Sequence, residues 1–91
     1  MPALIEDANS NTASSTVAAV GSIIVSVTGV FSSGLITLVG DIGYGEVALW
    51  YCTPANTRRM IGLDLKPGVS FKAYVEGLAN TDSVTVGYIN V

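Results

Sequence analysis

The stretch of sequence from Ala8 to Gly40 contains no charged side chain, and as a helix it would be long enough to cross a lipid bilayer. Its pattern favours β-strands instead. Residues 23–28 (IIVSVT) are mostly β-branched and repeat with a period of two, and Gly21, Gly29 and Gly34 would weaken a helix. No Lys or Arg flanks the stretch to orient it in a membrane. We therefore expect two strands joined at residues 32–34, with a membrane-associated protein using residues 17–39 as the minor alternative.

The remainder of the chain also divides into short apolar segments separated by turn residues. The clearest strand is 69–76 (VSFKAYVE), in which apolar and polar side chains alternate after the turn sequence Lys66-Pro67-Gly68. Turns at intervals of about 8–12 residues are typical of an antiparallel β-sandwich, Ig-like or jelly-roll-like, with about seven strands. We predict one such domain over residues 16–91. The predicted strands are 16–20, 22–31, 35–39, 47–53, 60–65, 69–76 and 83–91.

Residues 1–15 are polar and rich in small side chains, which predicts a flexible N-terminal arm. The apolar pair Leu4 and Ile5 cannot by itself offset an ordering cost of about 1–2 kcal/mol for each residue of the arm. We therefore expect the arm to become ordered against a neighbouring subunit, where Leu4 and Ile5 would serve as anchors and the backbone would pair with an exposed strand edge.

The composition argues against several classes of function. Charged residues make up 12% of the chain, against about 25% in an average soluble domain, and the net charge is −3. With four basic residues the chain is poorly equipped to bind nucleic acid. The absence of histidine rules out Ser-His-Asp and Cys-His arrangements, and with one cysteine the composition argues against zinc and transition-metal sites. We expect no enzyme activity, no cofactor and no metal. Few charges suit a subunit covered by neighbours, although a monomer with a neutral Ser, Thr and Asn surface is the alternative.

Some residues have both a functional and an ordinary interpretation. Cys52 lies in an apolar strand pattern, which favours a small buried side chain over a reactive thiol. Asp41 and Glu46 flank a glycine-rich loop, where a glycosidase pair is conceivable but surface acids are far commoner. A loose calcium site in a sandwich loop is a further alternative.

Two segments carry a resemblance to a known family. Residues 25–50 (VSVTGVFSSGLITLVGDIGYGEVALW) resemble a module of tailed-bacteriophage virion proteins, in which a "TG-F-G" turn, an "L-T-hydrophobic-G" strand and a Gly/Asp turn precede "W-hydrophobic". Residues 68–91 (GVSFKAYVEGLANTDSVTVGYINV) resemble its ending, with a "hydrophobic-x-Gly-Leu" corner before a Thr/Val strand. Trp50 lies a few residues later than in the module, so the strand register there stays open.

Such modules are small antiparallel β-sandwiches of head decoration proteins, head fibres and baseplate or tail-fibre domains. The resemblance implies a structural protein of the virion, most concretely a capsid decoration or cement protein made in the host cytoplasm and located on the capsid surface. Its partners would be the major capsid protein and further copies of itself, with no nucleic acid and no membrane. The basic doublet Arg58-Arg59 then becomes a candidate contact with an acidic capsid surface, beside Leu4 and Ile5; a solvated loop is the alternative.

A carbohydrate-binding or adhesin module of a phage fibre or baseplate is the rival interpretation. Tyr44, Trp50 and Tyr51 would form its glycan-stacking platform. Because adjacent residues in a strand point to opposite faces, we expect one ring of the pair Trp50 and Tyr51 to fill the core instead.

Overall fold

The computed structural model describes residues 3–91, within which nine strands form two packed antiparallel sheets. The strands are β1 (Ala3–Ala8), β2 (Thr12–Ala13), β3 (Val17–Ala18), β4 (Ile23–Val30), β5 (Leu35–Asp41), β6 (Glu46–Cys52), β7 (Met60–Leu63), β8 (Ser70–Glu76) and β9 (Ser83–Asn90). The first sheet has the order β1-β9-β4-β7. In the second, β6 pairs with β5, β5 with β8, and both short strands β2 and β3 with β8. The predicted β-sandwich is confirmed, with two strands more than expected because the N-terminal residues join both sheets.

Alternation along the strands fills one core between the sheets. β8 turns Phe71, Ala73 and Val75 inward, and the ring of Phe71 meets that of Tyr88 edge to face with centroids 5.2 Å apart. Burying each large apolar side chain of this kind contributes about 1.5–3 kcal/mol before the entropy of ordering is subtracted. The other fully buried side chains of the core are Ile23, Val25, Ile36, Leu38, Cys52, Val84 and Val86.

The two long strands of the uncharged stretch lie in different sheets, and the short strands β2 and β3 precede them. Residues 23–30 form β4 of the first sheet and residues 35–41 form β5 of the second. Among residues 3–91 there is no helix with the length and hydropathy that a membrane span requires. The turn between the strands contains Gly34 at φ +100°, where a Cβ would overlap the carbonyl oxygen of Glu76, so a side chain has no room there.

One carboxylate ties together two connections between the sheets. Asp82 lies in the β8–β9 turn and is 2% exposed. Its Oδ1 accepts hydrogen bonds from Ser32 N at 3.1 Å and Ser32 Oγ at 2.6 Å, in the β4–β5 turn, and its Oδ2 accepts one from Ala79 N at 3.1 Å. The bond from the Ser32 hydroxyl, assisted by backbone N–H groups, lowers the pKa of Asp82. The hydrogen bonds at this corner of the sandwich therefore stabilise the ionised carboxylate of Asp82.

The N-terminal segment differs from the flexible arm that the sequence predicts over residues 1–15. Residues 3–8 pair with β9, and Ile5 is only 3% exposed while Leu4 packs against the same core. Residues 12–13 cross over to pair with β8 of the second sheet. The sequence-based estimate counted only the burial of Leu4 and Ile5. Strand pairing also satisfies the hydrogen-bonding groups of the backbone, which helps to offset the cost of ordering the segment. Met1 and Pro2 lie outside the described residues.

Candidate interaction surfaces

The outward side of the first sheet carries no charge across three of its four strands. β4, β7 and β9 contain no Asp, Glu, Lys or Arg. Their inward positions fill the core, and the pairing register sets the outward positions in rows across the sheet. We call these outward positions the neutral face; they are Ile24, Ser26, Thr28, Met60, Gly62, Thr85, Gly87 and Ile89.

Charged side chains border the neutral face at both edges of its sheet. On the β1 edge, Glu6 and Asp7 form a bulge opposite Thr85, and Asp7 N donates to Thr85 Oγ1 at 3.1 Å. On the β7 edge lies Arg58, which is exposed and donates from Nε to the carbonyl oxygen of Met60 at 3.3 Å. Acids therefore flank the face at the β1 edge and Arg58 flanks it at the β7 edge, while Asp64 follows the other end of β7.

The doublet Arg58-Arg59 lies in the loop before β7, and its two side chains have different surroundings. Arg59 donates to the carbonyl oxygens of Asn56 at 2.8 Å and Pro54 at 3.2 Å, and its guanidinium carbon lies 5.1 Å from the centroid of the Phe31 ring. These contacts hold the β6–β7 loop against the core. Of the two predicted partner-binding arginines, Arg58 thus presents its side chain to the surface and Arg59 serves the fold.

The outward side of the second sheet, by contrast, is charged and polar. Tyr74 Oη lies 2.8 Å from both carboxylate oxygens of Glu46, and Lys72 Nζ lies 3.1 Å from Glu46 Oε2 and 4.8 Å from the Tyr74 ring centroid. The hydrogen bond from Tyr74, followed by that from Lys72, lowers the pKa of Glu46. We call this side the charged face; its outward positions include Thr37, Val39, Asp41, Glu46, Ala48, Tyr51, Ser70, Lys72, Tyr74 and Glu76.

A groove of about 390 Å³ opens on the charged face beside the turn of the β5–β6 hairpin. Asp41, Glu46 and Lys72 line it together with hydroxyl groups and glycine backbone. Asp41 Oδ1 accepts hydrogen bonds from Gly43 N at 2.6 Å and Gly45 N at 3.3 Å, so this carboxylate also shapes the hairpin tip. Both acids have hydrogen-bond partners within the chain, which is typical of structural surface acids.

The three aromatic residues of the predicted glycan platform lie at different places. Tyr44 is at the tip of the β5–β6 hairpin and 93% exposed, Tyr51 is exposed near the other end of β6, and Trp50 packs against the core. An extended strand rises about 3.3 Å per residue, which puts Tyr44 and Tyr51 roughly 20 Å apart along the hairpin. The expected alternation of Trp50 and Tyr51 is confirmed, and β6 carries an irregularity next to Trp50, where Leu38 pairs with Trp50 but Val39 pairs with Ala48.

The predicted partner-binding residues are thus dispersed. Leu4 and Ile5 contact the chain's own core, Arg59 supports a loop, and Arg58 lies at the edge of the neutral face. The neutral face itself was not predicted. Its signal was present in residues 23–30, 60–63 and 83–90, which lack charge, but only the pairing of these segments shows that their outward sides are adjacent.

Cys52 and the acids give no sign of reactive chemistry. Cys52 is buried, and burial raises the pKa of its thiol despite the nearby Arg59, so the unreactive thiol form dominates near neutral pH. Within residues 3–91 no group of three or more Cys, Asp or Glu side chains is arranged to hold a metal ion.

Comparison with known proteins identifies no matching family model, no matching curated protein and no matching solved structure.

Proposed function

We propose that this chain is a structural protein of a bacteriophage virion, most concretely a decoration or cement protein that binds and stabilises the capsid shell. It would act on the capsid surface, with the major capsid protein and further copies of itself as partners. The resemblance of residues 25–50 and 68–91 to virion modules supports this proposal, as does the β-sandwich that both segments build.

The observation that carries the proposal is the neutral face in a chain with 12% charged residues. Subunit interfaces are depleted in charge at their centre, whereas solvated faces normally carry Lys and Glu. On a capsid, many copies would each add binding free energy to the assembled shell and so oppose its opening.

The experiment uses capsids assembled from the major capsid protein encoded nearest to this chain's gene. Purified chain is incubated with them, and co-sedimentation measures occupancy. We expect saturable binding at a copy number set by lattice symmetry. Failure to bind at micromolar concentration would refute a decoration role.

A pair of variants tests the predicted cationic contact in the same assay. Arg58→Ala should lower occupancy and increase its sensitivity to salt. Truncating a hydrogen-bonded charge at a desolvated interface costs about 2–5 kcal/mol of binding free energy. Lys66→Ala is the matched control because Lys66 is an exposed cation already paired with Asp64. Equal occupancy by both variants would remove Arg58 from the capsid contact.

A carbohydrate-binding module remains the second candidate, favoured by the exposed ring of Tyr44 near the polar groove. Exposed aromatic rings stack on sugars, and a carboxylate-lined groove offers hydrogen-bond acceptors for hydroxyl groups. In a glycan-array measurement Tyr44→Ala should abolish binding while Tyr51→Ala, distant along the hairpin, leaves it unchanged. A chain that binds no glycan, or binds equally well without the Tyr44 ring, excludes this candidate.

A further inference from the structure

We propose that the neutral face is the interface of a two-fold symmetric dimer, in which a second copy of this chain packs its own neutral face against the first. This inference concerns the same face that carries the proposed function, and it assigns that face to a second copy and not to the capsid protein. The dimer would form in solution from the purified chain, so it is tested without capsids. It assigns a specific surface, a specific partner and a symmetry axis.

The overall charge restricts where two copies can meet. Each chain carries a net charge of −3, so contact between charged faces would bring Asp41, Glu46 and Glu76 of one copy near those of the other. Like charges brought together without solvent cost several kcal/mol. The neutral face avoids this repulsion, and its small and β-branched side chains suit the packing of one sheet on another at about 10 Å.

The register of the sheet places the bordering charges at the same height. Glu6 and Asp7 lie opposite Thr85, and Thr85 pairs with Thr28. On the other side of β4, Val27 N donates to the carbonyl oxygen of Arg59 at 2.8 Å, so the preceding residue, Arg58, lies opposite Thr28. The two acids and the arginine thus occupy opposite ends of one row, separated by the width of the sheet, roughly 14 Å.

Consider a two-fold axis that runs parallel to the strands and lies between the neutral faces of the two copies. With this axis, the charges at the two edges make the face complementary to itself. Rotation about that axis places β7 of one copy over β1 of the other while keeping the height along the strands. Arg58 of each copy then faces Glu6 and Asp7 of its partner. The contact occurs twice, as in every isologous interface.

The size of the face is compatible with a weak dimer. Four strands about 4.8 Å apart, with four to eight residues in each, give an area of roughly 19 by 21 Å on each copy. That is below the standard size of a specific interface, so we expect a weak dimer with a dissociation constant of roughly tens to hundreds of micromolar.

An axis perpendicular to the strands provides the main geometric competitor. It would place Arg58 over the far end of the partner's β7, next to Asp64. Asp64 already accepts hydrogen bonds from Ser22 at 2.9 Å and Lys66 at 3.3 Å, so it is less available than the β1 acids. The two axes predict different charge partners for Arg58 and can therefore be distinguished by charge exchange.

The test is sedimentation equilibrium of the purified chain from about 1 to 500 μM, a range chosen to bracket the expected dissociation constant. We expect a monomer–dimer equilibrium. Ile89→Glu, at the neutral face, should weaken it by at least about tenfold because it buries a charge twice in the dimer. Val47→Glu is the matched control, since Val47 is an equally apolar residue on the exposed edge strand β6 and away from the neutral face.

A charge exchange tests the pairing at the edges, using exposed positions that are not needed for folding. Arg58→Glu should weaken the dimer by about tenfold, and adding Glu6→Arg should recover a large part of the loss. Glu6 is preferred to Asp7 for this purpose because Asp7 has φ 50°, which an arginine would adopt less readily. Asp64→Arg is the control for the perpendicular axis and should recover nothing.

Three outcomes would overturn the proposal. A monomer at every concentration would exclude the dimer itself, whatever the capsid assay shows. Dissociation by Val47→Glu and not by Ile89→Glu would move the interface to the β6 edge. Recovery by Asp64→Arg and not by Glu6→Arg would reject the proposed axis. Circular dichroism on each variant verifies the β-fold, and if Ile89→Glu unfolds, the charge exchange decides alone.

Discussion

The two outer faces of this sandwich cover the same core and yet have opposite chemistry. The neutral face carries apolar, hydroxyl and glycine positions, whereas the charged face carries Glu46, Lys72 and Tyr74 in direct contact with each other. Outward positions of a sheet do not determine its core packing, so folding alone explains neither pattern. The difference is what the proposed dimer would explain: water would solvate the charged face, and a second copy would cover the neutral face.

The largest expected effect comes from removing the hydrogen bonds of Asp82, which join the sheet of the neutral face to the sheet of the charged face. Asp82→Ala removes the acceptor for Ser32 and Ala79 at the corner where both connections meet, and it deprives two part-buried N–H groups of this partner. We expect the largest loss of stability among the variants considered, a fall in Tm of several degrees. Thermal unfolding at pH 7, followed by circular dichroism, measures it. An unchanged Tm would mean that the sheets are held by the core alone.

The same corner should make stability depend on pH. The folded pKa of Asp82 is lowered, so its contribution is present above the unfolded pKa of about 3.9 and is lost as the pH falls through the folded value. Unfolding measured between pH 7 and pH 2 should show this loss. Asp82→Asn provides the control, because an amide keeps an acceptor oxygen and does not titrate; its acid-induced loss of stability should be smaller.

The two arginines next to the neutral face offer a second test. Arg59→Ala should cost about 2 kcal/mol of unfolding free energy, because it removes two hydrogen bonds to loop carbonyls and the contact with Phe31. Arg58→Ala should stay within about 0.5 kcal/mol, as expected for an exposed side chain. Urea unfolding of both variants measures the difference. Equal costs would contradict the division of the doublet into one structural and one surface residue.

The charged face allows a finer measurement. Tyr74→Phe removes the hydroxyl that donates to Glu46, so the pKa of Glu46 should rise towards its ordinary value while Lys72 still keeps it partly lowered. Carboxyl chemical shifts followed by NMR titration report the change. Tyr51→Phe, on the same face and without this contact, is the control. A Glu46 pKa that does not move would show that Lys72 alone sets it.

The smallest expected effect is also the most discriminating. Thr28→Lys adds a charge to the neutral face, and Thr12→Lys adds one to the edge of the second sheet; both threonines are exposed in strands. Measured at a concentration where the chain is monomeric, both should change the unfolding free energy by less than about 0.5 kcal/mol. Association should weaken for Thr28→Lys only. If Thr28→Lys destabilises the monomer strongly, neutrality would be a requirement of folding and not a sign of a partner.

The sequence by itself was sufficient for the fold class. Period-two alternation in residues 23–28 and 69–76 and the regular turns indicate a β-sandwich, because local side-chain direction and turn chemistry depend on neighbours in the chain. The burial of Cys52 and the division of Trp50 and Tyr51 into one core-facing and one exposed ring followed from the strand pattern, whereas which of the two rings packs on the core did not. The assignment of residues 1–15 to a flexible arm differed from the structure, since pairing of β1 with β9 joins residues that are far apart in the sequence.

Only the tertiary structure determined which side chains lie next to one another on the surface. Arg58 and Arg59 are adjacent in sequence, yet Arg58 is exposed whereas the guanidinium of Arg59 lies against the Phe31 ring. Conversely, Glu6, Thr28 and Thr85 are distant in sequence and share one row of a sheet. Pairing register depends on long-range contacts that local patterns do not encode, and a shift by one residue would exchange the inward and outward sides of a strand. A charge-free face is therefore visible only once the strands are placed side by side.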